Sequence, residues 1–225
     1  LKYYAEALAA YEQAIQFGTN DGSAYYGKGN ILLNLKQYEE ALVFYECAIR
    51  LAPNGTFAHL EKGLVLHRLE HDEEAIIAYE QAIRLDPKNL YAHYNKGISF
   101  NNLKRYKEAL MAFEQVIDID PGNVIGWYGR GHVLFDLERY EEAFAAFDRA
   151  IQLDPNNATA YVDKGHALMM LGRYEKALRG IEHAIEIDSR LLNAWRLKGY
   201  LLEQLGRLEE AKQAYKIVNG LMNSK

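Results

Sequence analysis

The sequence has little cysteine, no excess of positive charge and no long apolar run. Cys47 is the only cysteine among 225 residues, so an internal disulfide framework is excluded and nothing indicates an oxidising compartment. A net charge of -5 argues against a general binder of nucleic acid or anionic membranes. No apolar run reaches the roughly 18 to 20 residues of a membrane span, and no signal-peptide pattern is present. We therefore expect a cytoplasmic protein with neither a membrane nor a nucleic-acid partner.

The residues that are present suit a folded protein built from repeats. The chain is 49% hydrophobic and 25% charged, enough for a sizeable core. A glycine recurs every 34 residues, at Gly29, Gly63, Gly97, Gly131, Gly165 and Gly199. Proline closes four of the units, at Pro53, Pro87, Pro121 and Pro155. Each unit is predicted to hold two helices joined by a short polar turn.

The second helix of each unit carries two further columns. An alanine follows each glycine by twelve residues, at Ala41, Ala75, Ala109, Ala143, Ala177 and Ala211. Four residues later comes a large side chain, at Tyr45, Tyr79, Phe113, Phe147, Ile181 and Tyr215. Glycine and alanine are expected to let the two backbones approach closely, while the large side chain fills the space beside them.

This pattern resembles the tetratricopeptide repeat (TPR) family. The resemblance implies an all-α fold, a right-handed superhelical solenoid of antiparallel helical hairpins. It divides residues 22–221 into six repeats, 22–55, 56–89, 90–123, 124–157, 158–191 and 192–221. Residues 1–21 match the second helix of a truncated repeat, so we expect the native chain to extend upstream. Lys212 and Asn219 give the last repeat a polar outer face, so we expect the stack to end there, with a tail over residues 222–225.

Two positions depart from the family pattern. His59 and His93 replace the usual aromatic residue four positions before the glycine, and we interpret them as core histidines. A basic residue replaces the usual leucine before every glycine, and an acidic residue stands sixteen positions earlier. We predict that each basic side chain packs along apolar surface and pairs with a carboxylate of the preceding unit, which fixes stacking register. The pairs are Lys28 with Glu12, Lys62 with Glu46, Lys96 with Glu80, Arg130 with Glu114, Lys164 with Asp148 and Lys198 with Glu182.

A helical wheel divides each first helix into a buried face and an opposite face. In the resembled family the opposite face lines a concave groove that binds peptides. Here it is rich in Tyr, Phe, Asn and His, which supply contact area and adaptable hydrogen bonds. The predicted partner-binding residues are Tyr26, Asn30, Phe57, Tyr91, Tyr94, Asn95, Asn101, Asn102, Tyr128, His132, Phe135, His166 and Met169. Alternatively, some of these rings pack on neighbouring repeats or drive self-association.

The sequence contains no constellation for catalysis. His132 and His166 occupy equivalent positions and could share a metal, but two imidazoles without a cysteine or a carboxylate shell make a poor site. Residues 27–29 and 129–131 lie within helices and lack the rest of a phosphate-binding motif. One TPR subclass clamps a terminal carboxylate with lysine, arginine and asparagine, but Tyr26 stands where the lysine is expected. No metal, cofactor or carboxylate clamp is therefore predicted.

The leading hypothesis is a non-enzymatic scaffold that binds a peptide segment or a partner protein in the groove. An alternative makes the chain the regulatory or substrate-selecting arm of a larger enzyme whose catalytic domain lies upstream. In a third, the uncovered N-terminal helix drives self-association.

Overall fold

The computed structural model describes residues 2–18 and 22–223, and all regular structure in these ranges is α-helical. The helices are α1 (Lys2–Gln16), α2 (Ser23–Asn34), α3 (Tyr38–Leu51), α4 (Thr56–Arg68), α5 (Asp72–Leu85), α6 (Leu90–Asn102), α7 (Tyr106–Ile119), α8 (Val124–Asp136), α9 (Tyr140–Leu153), α10 (Ala158–Met170), α11 (Tyr174–Ile187), α12 (Leu192–Gln204) and α13 (Leu208–Asn223). The predicted all-α fold is confirmed. Residues 222 and 223 of the predicted tail are helical. Residues 1, 19–21 and 224–225, which belong to the predicted truncated repeat and tail, lie outside the described ranges.

The helices pack as hairpins within two units, Leu1–Gln115 and Val116–Lys225. In the first unit α2 packs on α3 and α4 on α5; in the second, α8 packs on α9, α10 on α11 and α12 on α13. Consecutive hairpins also contact each other, since α3 packs on α4, α5 on α6, α9 on α10 and α11 on α12. Each unit is therefore a stack in which neighbouring hairpins bury one another's apolar faces.

The repeat glycine lies against the large side chain that follows it by sixteen residues. A Cβ atom added at Gly131 would lie 2.6 Å from the Phe147 ring, and one at Gly63 would lie 2.5 Å from the Tyr79 ring. The group that requires glycine is therefore the ring itself, rather than the backbone of the second helix as the sequence suggested. The alanine column is buried in every repeat, as expected for small residues between closely packed helices.

Each first helix is followed, two residues after its end, by a residue with left-handed backbone geometry. After α2, the Lys36 N–H donates to the Leu33 carbonyl and the Gln37 N–H to the Leu32 carbonyl, both at 2.9 Å. This is the Schellman arrangement, which satisfies the last carbonyls of a helix. It leaves only a short turn before the second helix of the hairpin. The residues with positive φ at this position are Lys36, Glu70, Lys104, Glu138, Gly172 and Gly206.

The ion pairs predicted at repeat junctions are confirmed wherever both residues belong to one unit. In each, the lysine on a first helix reaches a carboxylate on the preceding second helix. The pairs are Lys28–Glu12, Lys62–Glu46 and Lys96–Glu80, each at 2.8 Å, Lys198–Glu182 at 2.9 Å, and Lys164–Asp148. We call these five the junction pairs. Arg130 and Glu114 belong to different units, and their pairing stays a prediction.

Four of the five junction lysines also lie over an aromatic ring, in keeping with the predicted packing along apolar surface. Lys28 Nζ lies 4.5 Å from the ring centroid of Phe44, and Lys164 Nζ lies 5.1 Å from that of Phe144. Contacts of this kind add a cation–π attraction to the ion pair. The lysine side chains are only 15% to 28% exposed, whereas their carboxylate partners are more open to solvent.

The two histidines that replace an aromatic residue bond to the preceding turn. His93 is buried, and its Nε2 lies 3.1 Å from the Pro87 carbonyl oxygen. At the equivalent position the Trp127 indole donates to the Pro121 carbonyl at 3.1 Å. The same contact joins His59 to Pro53 and Trp195 to Ser189. A ring nitrogen at this position therefore bonds to a carbonyl of the preceding turn. Histidine and tryptophan both supply such a nitrogen, which explains why histidine can replace the aromatic residue. His93 is a core histidine as predicted, and His59 is half-buried.

Candidate functional site

The predicted partner-binding residues lie on first helices, in one group for each unit. In the first unit, α2, α4 and α6 carry Tyr26, Asn30, Phe57, Tyr91, Tyr94, Asn95, Asn101 and Asn102, which we call the first-unit face. In the second unit, α8 and α10 carry Tyr128, His132, Phe135, His166 and Met169, which we call the second-unit face.

The most exposed rings of the first-unit face are Phe57 and Tyr91. Each is 66% exposed, and they occupy equivalent positions one repeat apart in α4 and α6. Phe57 lines a mainly apolar cavity of about 420 Å³ together with Tyr26 and Leu51, and small residues of α2, α3, α4 and the turns before α2 and α4 form the remaining wall. A cavity of this size and lining accommodates an apolar side chain.

The asparagines of the first-unit face differ in how they are held. Asn30 Oδ1 accepts a hydrogen bond from the Tyr45 hydroxyl at 2.8 Å. The Asn102 amide donates to Asp72 Oδ2 at 3.0 Å. The Asn95 side chain, by contrast, makes no hydrogen bond with any described residue and is half-buried. Its amide can therefore donate to and accept from the backbone of a bound chain.

Two tyrosines of the first-unit face are partly core residues. The Tyr94 ring meets the Phe113 ring edge to face, 5.7 Å between centroids, and the Tyr26 ring lies 5.9 Å from the Tyr45 ring. Burial raises the pKa of the Tyr94 hydroxyl. Part of each of these two side chains is therefore used for packing within the repeat, whereas the Phe57 and Tyr91 rings are exposed to solvent.

A buried polar cluster in the first unit was not anticipated from the sequence. Asp72 is buried, with Oδ1 2.7 Å from His67 Nδ1 and Oδ2 accepting from Asn102. Burial by itself would raise the pKa of Asp72, but the hydrogen bonds from His67, Ser99 and Asn102 outweigh it and hold the pKa below its usual value. The sequence did contain a signal, because Asp72 interrupts a mostly tyrosine column. The other members of that column are Tyr38, Tyr106, Tyr140, Tyr174 and Leu208.

The second-unit face contains a cavity of about 320 Å³, which we call the acidic cavity. Its lining residues are His132, Phe135, Asp136, Phe147, Asp163 and His166. The Tyr128 hydroxyl donates to Asp163 Oδ2, and His132 Nε2 lies 3.5 Å from the same oxygen. Burial lowers the pKa of His166, although the charge of Asp163 opposes this shift. The cavity thus combines carboxylates with aromatic and imidazole rings.

The remaining residues of the second-unit face provide apolar surface. The Phe135 ring lies 5.2 Å from the Tyr140 ring, and Met169 packs against the core of the unit. Both side chains are half-buried. Phe135 therefore forms a wall of the acidic cavity with its ring partly accessible.

Two negative findings apply to the described residues. Among them, no group of three or more His, Cys, Asp and Glu side chains is arranged to hold a metal ion. None of their helices is long and apolar enough to cross a membrane. His132 and His166 both line the acidic cavity without forming part of such a group.

Comparison with known families establishes what the repeats are. A model described as tetratricopeptide repeat matches residues 22–54 and 90–123, and a second model, described as TPR repeat, matches residues 71–104. A model of the cytochrome c-type biogenesis protein H TPR domain matches residues 116–225. The chain belongs to the tetratricopeptide repeat family. Comparison with curated proteins finds no match.

Solved TPR structures share this fold. YrrB, described as a TPR protein with an unusual peptide-binding site, is 26% identical with a TM-score of 0.64, over 82% of this chain and 95% of YrrB. A TPR protein from Parabacteroides merdae is 18% identical with a TM-score of 0.78, over 97% of this chain and 86% of its own. MamA from Desulfovibrio magneticus RS-1 is 21% identical with a TM-score of 0.68, over 76% of this chain and 96% of its own. At their low identity the last two show the fold alone.

Proposed function

We propose that this TPR protein is a non-enzymatic scaffold that binds a peptide segment or a partner protein on the groove faces of its first helices. The exposed pair Phe57 and Tyr91 carries the proposal, together with the apolar cavity of about 420 Å³ that Phe57 lines. Exposed rings next to an apolar cavity are typical of interaction surfaces. The described peptide-binding site of YrrB supports the same function.

The chemistry of the first-unit face suits an extended chain. An apolar side chain of the partner would enter the cavity between Tyr26 and Phe57, and Tyr91 would cover the next part of the chain. The Asn95 amide would bond to the partner's backbone. Rings that lose this much exposed area on binding stabilise a complex by about 1 to 2 kcal/mol each.

The proposal is tested with a peptide selected from a phage-displayed library of randomised peptides. Its Kd is measured by fluorescence anisotropy for the wild-type protein and for the Phe57→Ala/Tyr91→Ala double variant. We expect at least a tenfold rise in Kd, because two central rings together contribute more than about 1.4 kcal/mol. Tyr94 and Tyr128 are less suitable targets, since both are half-buried and their truncation would also lower the melting temperature.

A matched control lies on the second helices. Ile77 and Met111 are 59% and 65% exposed, on α5 and α7. The Ile77→Ala/Met111→Ala double variant should leave Kd unchanged. Loss of binding in this variant, with binding retained in the ring variant, would place the peptide on the second helices and refute the proposal. Failure to select any peptide would also count against it.

Self-association and a cytoplasmic location stay predictions. Tyr3 on α1 and Phe17 just after it are 85% and 86% exposed, and this apolar surface supports self-association. Light scattering over a range of protein concentrations measures whether the chain associates.

A further inference from the structure

We propose that the acidic cavity of the second-unit face binds a basic side chain of the partner, with arginine preferred. This inference rests on the proposed function and specifies the chemistry of the ligand. It concerns α8, α9 and α10, whereas the peptide test above concerns α4 and α6.

The charges that line the acidic cavity favour a cation. Two carboxylates, Asp136 and Asp163, line it, and no lysine or arginine does. The Asp163 side chain is only 20% exposed. Both of its close contacts, from Tyr128 and His132, are made to Oδ2, and Oδ1 accepts no hydrogen bond from a described residue. A partly buried carboxylate with an open oxygen is stabilised by a cation that donates to it.

A ring of the acidic cavity favours a cation as well. Phe135 and Phe147 are both part of the lining, but Phe147 is buried, so the half-buried Phe135 ring is the one a cation can reach. The face of an aromatic ring attracts an ammonium or guanidinium group, most strongly where water is partly excluded. Since burial lowers the pKa of His166, its ring tends to stay neutral and adds no competing positive charge. A planar guanidinium can stack on a ring and donate to a carboxylate at once, which is the reason for preferring arginine.

A neighbouring cavity in the same unit has the opposite character. It has a volume of about 430 Å³ and shares His166 with the acidic cavity. It is lined by Arg196 and Asn193, together with Met169, Leu197 and Tyr200, and by no carboxylate. The preference for a cation is therefore a property of the acidic cavity and not of the whole face.

The hydrogen bond that holds the Asp163 side chain in place can be kept when the carboxylate is replaced by an amide. In the Asp163→Asn variant the amide oxygen can still accept from the Tyr128 hydroxyl, so the hydrogen bond between α8 and α10 is retained while the charge is removed. Asp136 is exposed and offers a second neutral variant, Asp136→Asn.

The test is an NMR titration of the full chain with N-acetyl-arginine amide. The ring C–H resonances of His132 and His166 report on the cavity, and their saturable shifts yield Kd. We expect binding of the arginine probe and none of N-acetyl-citrulline amide, which has nearly the same shape without the charge. We expect Asp163→Asn to raise Kd at least fivefold, and Asp136→Asn to raise it less.

Glu186→Gln is the matched control. Glu186 lies on α11 of the same unit and pairs with His183, so the variant removes one negative charge away from the cavity. Its Kd should equal that of the wild type. Equal binding of citrulline and arginine, or an unchanged Kd in both aspartate variants, would overturn the proposal. Either result leaves the peptide test on Phe57 and Tyr91 unaffected, so the two failures are distinguishable.

Discussion

At the scale of single residues, the tyrosines beneath the repeat glycines differ in the partner available to their hydroxyl groups. Tyr45 and Tyr79 are equivalent and both fully buried. The Tyr45 hydroxyl donates to Asn30, whereas the Tyr79 hydroxyl has no hydrogen-bond partner among the described residues. The reason is the residue after the glycine, which is Asn30 in one repeat and Leu64 in the next. A buried hydroxyl without a partner destabilises the fold.

We predict opposite consequences for two identical substitutions. Tyr45→Phe should lower the free energy of unfolding by about 1 kcal/mol, because it removes a buried hydrogen bond and leaves Asn30 unpaired. Tyr79→Phe should leave it unchanged or raise it, since it removes an unsatisfied group. Phenylalanine fits this position, which Phe113 and Phe147 occupy in other repeats. Urea denaturation measures both values, and equal losses in the two variants would contradict the prediction.

At the scale of the helix, the effect of a glycine on stability depends on which atoms lie beside it. Gly131 in α8 faces the Phe147 ring, where an added Cβ would be far inside van der Waals contact. Gly180 in α11 has no atom within 4 Å of the same position. The first glycine serves packing between helices, whereas the second only weakens its own helix.

We therefore expect alanine to act in opposite directions at these two sites. Gly131→Ala should destabilise the protein by about 1 to 3 kcal/mol, because the ring must shift in a packed core. Gly180→Ala should stabilise it by up to about 1 kcal/mol through helix propensity. Differential scanning calorimetry measures both changes. A melting temperature for Gly131→Ala at or above that of the wild type would contradict the account of the repeat glycine.

At the scale of the whole molecule, the junction pairs link neighbouring hairpins within each unit. Lys62 on α4 reaches Glu46 on α3, and the same connection recurs at other junctions within each unit. Pairs that are partly open to solvent contribute little free energy each. Their regular placement instead favours one register of stacking, because a shifted register would leave the lysine heads unpaired.

A double-mutant cycle on Lys62→Met and Glu46→Gln measures this contribution. We expect a coupling energy of about 0.2 to 1 kcal/mol at low salt. At about 1 M salt the coupling should shrink, because mobile ions screen partly exposed charges. A coupling energy of zero at low salt would show that the junction pair adds nothing to the stacking of α3 on α4.

The repeat itself could be read from the sequence. A fixed period of glycine, alanine and large side chains predicts that the repeating unit is a helical hairpin, because small residues at helical spacing allow two helices to pack closely. The acidic and basic columns sixteen residues apart were enough to predict the junction pairs, since equivalent residues in a repeat meet equivalent neighbours. These features depend on the period alone.

Features that break the period were decided by the tertiary structure. The cluster around Asp72 joins residues of α4, α5 and α6, and the acidic cavity brings side chains of α8, α9 and α10 to one place. The tertiary structure also determines which rings are exposed to solvent. Phe57 and Tyr91 are exposed, whereas the Tyr94 ring packs against the Phe113 ring. A helical wheel assigns a side chain to a face, but whether it is buried depends on the rotamers and volumes of neighbours from other helices.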